Sequence, residues 1–305
     1  MYFIGVTTGQ SSIRQVFPLW AEALDLGDVE LVGIDLPVHA DVQQYRTVVN
    51  HLKRDPLSLG ALVTTHKIDL FNAAGDLFDE VDPLGVLMGE VSSISKRNRH
   101  FRAHAKDPIS CGHAIEAFLP AGYFDGVPTD VIIFGAGGSA IAIDWHFNRP
   151  ERGTDRPRQI VVTDIESRRL EMVRTIHEKS QTDTPLLTIR VVDSIQNLKV
   201  LASASPHSVV INATGLGKDA PGSPLRDDAI FPDHSVAWDL NYRGDLIFLQ
   251  QARAMESSKS VHIEDGWTYF LHGWTQVISE VFNTEIPTSG PLFDRLSTIA
   301  SSTKY

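Results

Sequence analysis

Apolar residues fall in short runs, separated by polar, glycine-containing turns and by longer stretches in which they recur at helical spacing. Residues 2–6 are apolar, 7–12 are polar and include Gly9, and 13–26 place apolar positions on one helical face, which predicts strand, turn and helix. A second strand is predicted at 29–34, a helix around 41–52 and a third strand at 59–64. Strands alternating with helices at these lengths imply a mostly parallel sheet with both faces covered. Between Lys96 and Lys106 the chain turns basic and irregular. A helix beginning over 110–117 ends near Pro120-Ala121-Gly122, where the crossing into a second domain is placed.

The second half is patterned more sharply. Val131, Ile132, Ile133 and Phe134 run directly into Gly135-Ala136-Gly137-Gly138-Ser139-Ala140 and an apolar helix onset, a buried strand entering a glycine turn. Further strands are predicted at 159–164, 187–192, 208–212 and 235–239. Residues 148–158, with two prolines and four arginines, read as surface loop. Residues 265–283 carry Trp267, Phe270, Leu271, Trp274, Val277, Ile278 and Phe282 at a spacing that suits a helix packed on another element. The pattern is that of an α/β protein without internal repeats.

Length supports the division, since 305 residues exceed what one core usually organises. A formal net charge of −11 argues against a nucleic-acid partner, which needs a concentrated basic surface. The single cysteine, Cys111, excludes an internal disulfide and reads as a packing residue. The first residues lack the features of a signal peptide, and no apolar run approaches the ~20 residues of a membrane span. The expected location is therefore the cytoplasm, with no membrane partner.

A helix N-terminus accepts a pyrophosphate through its free N–H groups only if side chains leave room. Gly135 and Gly137 permit the tight turn and close approach, Ala136, Gly138 and Ser139 complete it, and Ala140 takes the helix-packing position. Asp164 ends the next strand, where a carboxylate can accept from an adenosine ribose and repel a 2′-phosphate, favouring NAD over NADP. The same residue could instead cap the following helix. Arg168 and Arg169 lie one turn on, within reach of a 2′-phosphate.

Several further segments follow in order: Val63-Thr64-Thr65-His66-Lys67, then Asp107, the glycine turn, Asn212-Ala213-Thr214 and Asp239-Leu240-Asn241-Tyr242. In this order and spacing the chain resembles the shikimate/quinate dehydrogenase family over nearly its whole length. The resemblance implies a substrate-binding α/β domain at 1–118, a Rossmann-type NAD(P)-binding domain at 119–262 and a C-terminal helical segment at 263–305 that returns to the first domain. It also implies that Lys67 is the catalytic lysine and Asp107 its partner. A lysine can move the hydroxyl proton as hydride leaves carbon, while a carboxylate orients it. Tyr242 matches a tyrosine near substrate and nicotinamide, and Asn212 with Thr214 matches the loop on the cofactor side.

The chain also departs from the family pattern. The asparagine, threonine and proline that precede the family's lysine are here Ala61, Val63 and Thr65, and the asparagine of its Gly-Ala-Val-Asn motif is Ser92 in Gly89-Glu90-Val91-Ser92. Ser11 and Ser12 lack the family's alternate Ser-x-Ser spacing. They and Arg14 either contact substrate or cap and decorate the first helix. Gly273 stands where the family has glutamine, with Gln276 three residues on; Tyr269, His272 and Gln276 share a helical face and line a cleft or pack as buried polar residues.

The twelve histidines form no convincing metal-ligand set, His100 and His104 included, so no metal is expected. The expected activity is NAD- or NADP-dependent interconversion of a ring hydroxyl and a ketone on a shikimate- or quinate-like cyclic polyol. Ser11, Ser12, Thr65, Ser92, Tyr242 and Gln276 are the substrate-side candidates. Two other readings stay open: a non-catalytic nucleotide or metabolite sensor on the same scaffold, and a dehydrogenase of an open-chain hydroxy or amino acid. An exposed sheet edge or the aromatic C-terminal segment could support a homodimer.

Overall fold

Every apolar run read from the sequence becomes a strand, and in the computed structural model, which describes residues 1–218 and 220–303, the strands sort into two six-stranded sheets. Each sheet lies in its own unit: one comprises Met1–Ser110 and the chain from Leu271 onward, the other Cys111–Phe270.

The sheet of the first unit contains β1 (Tyr2–Gly5), β2 (Val32–Asp35), β3 (Gly60–Val63), β4 (Glu80–Val81), β5 (Ser93–Arg97) and β6 (His100–His104), in the order β2-β1-β3-β5-β6-β4. It is mostly parallel, as expected: β1 runs parallel to β2 and β3, and β4 to β6, with β5 the one strand that runs against the others, antiparallel to both β3 and β6. The stretch that reads as irregular is thus a hairpin. Asn98 and Arg99, both at positive φ (50° and 66°), make the two-residue turn that the twist of a hairpin demands. The alternation was masked because Arg97 and Arg102 pair with Glu280 and Glu80, while Ile94, Phe101 and Ala103 point into the core.

That core joins Ile4, Val63, Ile94 and Phe101 to Tyr45, Val49 and Leu52 of the helix Val42–Arg54. The helix Ile13–Ala23, shorter than its pattern suggested, buries Ile13, Val16, Phe17 and Trp20 on one face. Trp20 Nε1 donates to the carbonyl of Leu296, 2.8 Å away in the terminal helix Pro291–Ser302.

The sheet of the second unit is wholly parallel: β7 (Asp130–Phe134), β8 (Gln159–Asp164), β9 (Leu186–Arg190), β10 (Val209–Asn212), β11 (Val236–Asp239) and β12 (His262–Glu264), ordered β12-β11-β10-β7-β8-β9. Its central strands are buried along their whole length, as their unbroken apolar runs require. Cys111 is buried and in no disulfide. The loop 148–158 is not all surface: the Arg152 guanidinium lies over Phe124 and Phe147 and pairs with Asp155 at 2.7 Å. No helix among the described residues is long and apolar enough to cross a membrane.

Candidate functional site

In the second unit, β7 and β10 are neighbours, and from them the chain winds outward in opposite directions, β8 and β9 on one side, β11 and β12 on the other. Parallel α/β sheets bind ligands at such a switch point, beyond the carboxyl ends of the strands. The glycine turn lies there. Gly135 has φ +98°, and a Cβ on it would stand 2.9 Å from the carbonyl oxygen of Ala213, so only glycine fits. Gly137 differs, because a Cβ there would meet nothing within 4 Å and would project into open space at the N-terminus of the helix Gly138–Asn148. That is room a phosphate can occupy against free N–H groups.

Asp164 is buried and accepts from the amides of Ala136 (2.7 Å) and Glu166 (2.8 Å), locking the turn to the end of β8. It does not cap the helix that follows, Ser167–Lys179, whose N-cap is Glu166. A cavity of about 390 Å³ opens here, lined by Gly135, Ala136, Gly137, Asp164, Arg169, Asn197 and Thr214. Arg168 is exposed. Ser139 Oγ lies 3.2 Å from the Tyr269 hydroxyl.

Asn212 is buried at the end of β10 and works as a bracket. Its amide donates to Asp239 Oδ1 (3.0 Å), and its carbonyl oxygen accepts from the Thr214 amide and hydroxyl (3.1 and 2.6 Å). Asn241 donates to the carbonyls of Thr214 and Leu216, so the loop 213–217 is held from two sides. Burial pushes the Asp239 carboxyl up to about 6, against the opposing pull of the Asn241 and Asn212 hydrogen bonds. Tyr242 packs in a half-buried aromatic group with Phe270 (4.7 Å) and Trp267 (5.5 Å).

In the first unit, Lys67 opens the helix Lys67–Ala74 and Asp107 opens the helix Asp107–Phe118. The two side chains form a direct ion pair, mostly shielded from solvent. A carboxylate suits the positive end of a helix, whereas an ammonium there is electrostatically unfavourable; Asp107 offsets that. The turn leading to Lys67 is strained: Thr65, β-branched and exposed, has φ +52°. His66 is buried beneath it, its Nδ1 3.0 Å from the Tyr45 hydroxyl, and burial pushes its pKa down, so it is neutral.

The remaining substrate-side candidates separate. Ser92 is buried, and its hydroxyl accepts from the Lys106 amide at 2.6 Å, one residue before Asp107, so it braces the pair from behind. Ser11 and Ser12 are half-buried at the start of the helix Ile13–Ala23, where Ser12 occupies the N-cap without a side-chain capping bond. Arg14 donates to the carbonyl of Leu31. Gln276 is half-buried in the helix Trp267–Phe282. His272 in that helix is buried and stacked on Phe293, 4.7 Å between rings. His100 pairs with Glu80, and His104 is buried against Ser95.

Sequence reasoning passed over Glu90. It is buried beside the pair, and burial, reinforced by the negative charge of Asp107, pushes its carboxyl up to about 8 against the opposing effect of Lys67. The available signal was a lone acid between the apolar runs 86–88 and Val91.

No family model matches the chain. In sequence it is 26% identical over 178 residues to a shikimate dehydrogenase (NADP(+)) of Streptococcus gordonii, the match covering 57% of each chain. The chain thus spans little more than half the length of that curated relative. Solved structures match far more completely. A quinate dehydrogenase from Corynebacterium glutamicum in complex with NAD superposes with a TM-score of 0.75 at 20% identity, covering 99% of this chain and 98% of that one. Shikimate 5-dehydrogenase from Listeria monocytogenes, with shikimate and NAD, gives 0.70 at 18% identity over 98% and 95%. The enzyme from Thermus thermophilus, with NADP(H) and shikimate, gives 0.69 at 19% over 99% and 98%. The chain has the fold of the shikimate and quinate dehydrogenases: a first α/β unit, a Rossmann-type unit and a C-terminal segment that rejoins the first.

Proposed function

We propose that this protein is an NAD(P)-dependent oxidoreductase that interconverts a ring hydroxyl and a ketone on a cyclic polyol of shikimate or quinate type. The observation that carries this reading is the shielded Lys67–Asp107 ion pair at the N-termini of two helices, in a chain that also carries a glycine turn with open space at Gly137.

A dinucleotide fits the second unit by the geometry of its own residues. Gly135, Ala136, Gly137, Gly138 and Ser139 would hold the pyrophosphate at the helix N-terminus, Asp164 the adenosine ribose, and Asn212 and Thr214 the loop on the nicotinamide side. When bound, the nicotinamide supplies or accepts hydride. Asp164 lies in the cavity with its carboxylate oriented by two amides and disfavours a 2′-phosphate, so NAD is the preferred form. Arg169 in the same cavity tempers that preference.

Lys67 serves the substrate hydroxyl, taking its proton in oxidation and returning it in reduction, while Asp107 orients the ammonium and hydrogen-bonds the substrate. Ser11, Ser12, Thr65, Gln276 and Tyr242 are the proposed substrate contacts, and Ser92 acts through Lys106. Because Ala61, Val63 and Ser92 replace polar residues of the family pattern, quinate, a carbasugar or another ring alcohol is as good a candidate as shikimate. The test is reduction of NAD and NADP against a panel of shikimate, quinate, inositols, carbasugars and hydroxy acids. Turnover of a cyclic alcohol supports the reading; tight nucleotide binding without turnover on any of them points instead to a sensor.

A further inference from the structure

We propose that Glu90 is a positioning residue of the Lys67–Asp107 site, a buried carboxyl that carries a proton at neutral pH and thereby fixes the charge and placement of that pair. The inference rests on the function proposed above only where it concerns turnover.

Glu90 is 2% exposed, and its Oε1 is buried without a hydrogen-bond partner among the described residues. An ionised carboxylate left so would forfeit hydration for nothing, whereas a neutral carboxyl tolerates the site. The backbone ties it to the pair on both sides. The next residue, Val91, donates its amide to the carbonyl of Lys67 at 3.1 Å, and Ser92 accepts from the amide of Lys106, beside Asp107. The charged groups that bear on Glu90 are Asp107, Lys67 and Asp82, from three other segments of the chain. Asp82 is itself held by the amide of Gly85 and lies 3.6 Å from His104. With Glu90 neutral, the carboxylate paired with Lys67 is that of Asp107. Ionising Glu90 adds a second, which binds the lysine proton more tightly and repels Asp107. Lys67 is then neutral, and so able to take a proton from substrate, for a smaller fraction of the time.

Infrared difference spectra of the substrate-free protein, wild type minus Glu90→Gln, should show a protonated-carboxyl band at pH 6 that titrates away with a midpoint near 8. In Lys67→Met, loss of the cation should move that midpoint upward. Absence of the band at pH 6, or an unmoved midpoint, overturns the proposal whether or not the protein turns over any substrate. With a substrate in hand, wild-type kcat for oxidation should fall above about pH 8 relative to Glu90→Gln, with the two within roughly threefold near pH 6.5 and KM unchanged. Superposable pH profiles would overturn it. A band that titrates as expected in a protein that turns over nothing sustains the buried proton and sinks the dehydrogenase reading alone.

Discussion

The two units build their sites from different material. In the second unit the surface proposed to face the nucleotide is backbone: a helix N-terminus, a glycine with room in front of it, and a loop held by Asn212, Asp239 and Asn241. In the first unit it is side-chain charge: Lys67, Asp107 and Glu90, collected from the starts of two helices and from the turn before β5. A backbone site depends on shape, so its residues are small and contiguous. A charge site depends on balance, so its residues are few and scattered, and each alters its neighbours.

The widest expected gap between the two follows from removing the lysine. Lys67→Ala should lower turnover by about 10²- to 10⁴-fold while leaving nucleotide affinity within about twofold, measured by steady-state kinetics and calorimetry. Loss of both together would mean that the units are not separable in this way. Next come the two glycines. Gly137→Leu fills the open space and should weaken nucleotide binding by roughly 100-fold or more with thermal stability unchanged, whereas Gly135→Ala meets the Ala213 carbonyl and should destabilise the fold by about 1–3 kcal/mol. Equal stability loss in both would erase the distinction between a ligand glycine and a folding glycine.

A smaller effect separates charge from shape by pH. The folded protein holds the Glu90 proton up to about 8, above the ordinary value of 4.5, so this group's stabilisation is complete below about pH 4.5 and is lost as pH rises through about 8. Glutamine does not titrate. The Tm of Glu90→Gln should therefore gain on wild type between pH 5 and pH 8.5, by more than about 3 °C, in scanning calorimetry. A constant offset across that range would show Glu90 to be ionised throughout. The smallest effect is at Thr65, where glycine relieves the positive φ: Thr65→Gly should stabilise by about 1 kcal/mol in denaturant titration, and any accompanying rise in KM would mark the side chain as a substrate contact.

The same contrast explains what the sequence disclosed. β7 and the glycine turn were legible because a fully buried parallel strand is an unbroken apolar run and a tight strand-to-helix turn displays its glycines. The hairpin β5–β6 was not, because Lys96, Arg97 and Arg102 interrupt its apolar positions and the partners of the two arginines, Glu280 and Glu80, lie elsewhere in the chain. Lys67 and Asp107 could be picked out only through a resemblance, since 40 residues separate two ordinary charged letters that the fold brings into contact. Glu90 matched no pattern, and its significance lies wholly in what surrounds it. Ser92 was picked out as a substrate-side candidate from its place in the family motif, and the bond its hydroxyl accepts from the Lys106 amide beside Asp107 could be seen only in the fold.

The bond from Trp20 to the carbonyl of Leu296 joins residues 276 apart. During synthesis the chain must therefore extend past Leu296 before the first unit can close, while the contiguous second unit can finish earlier. Until then the helix Ile13–Ala23 waits with its tryptophan unclasped.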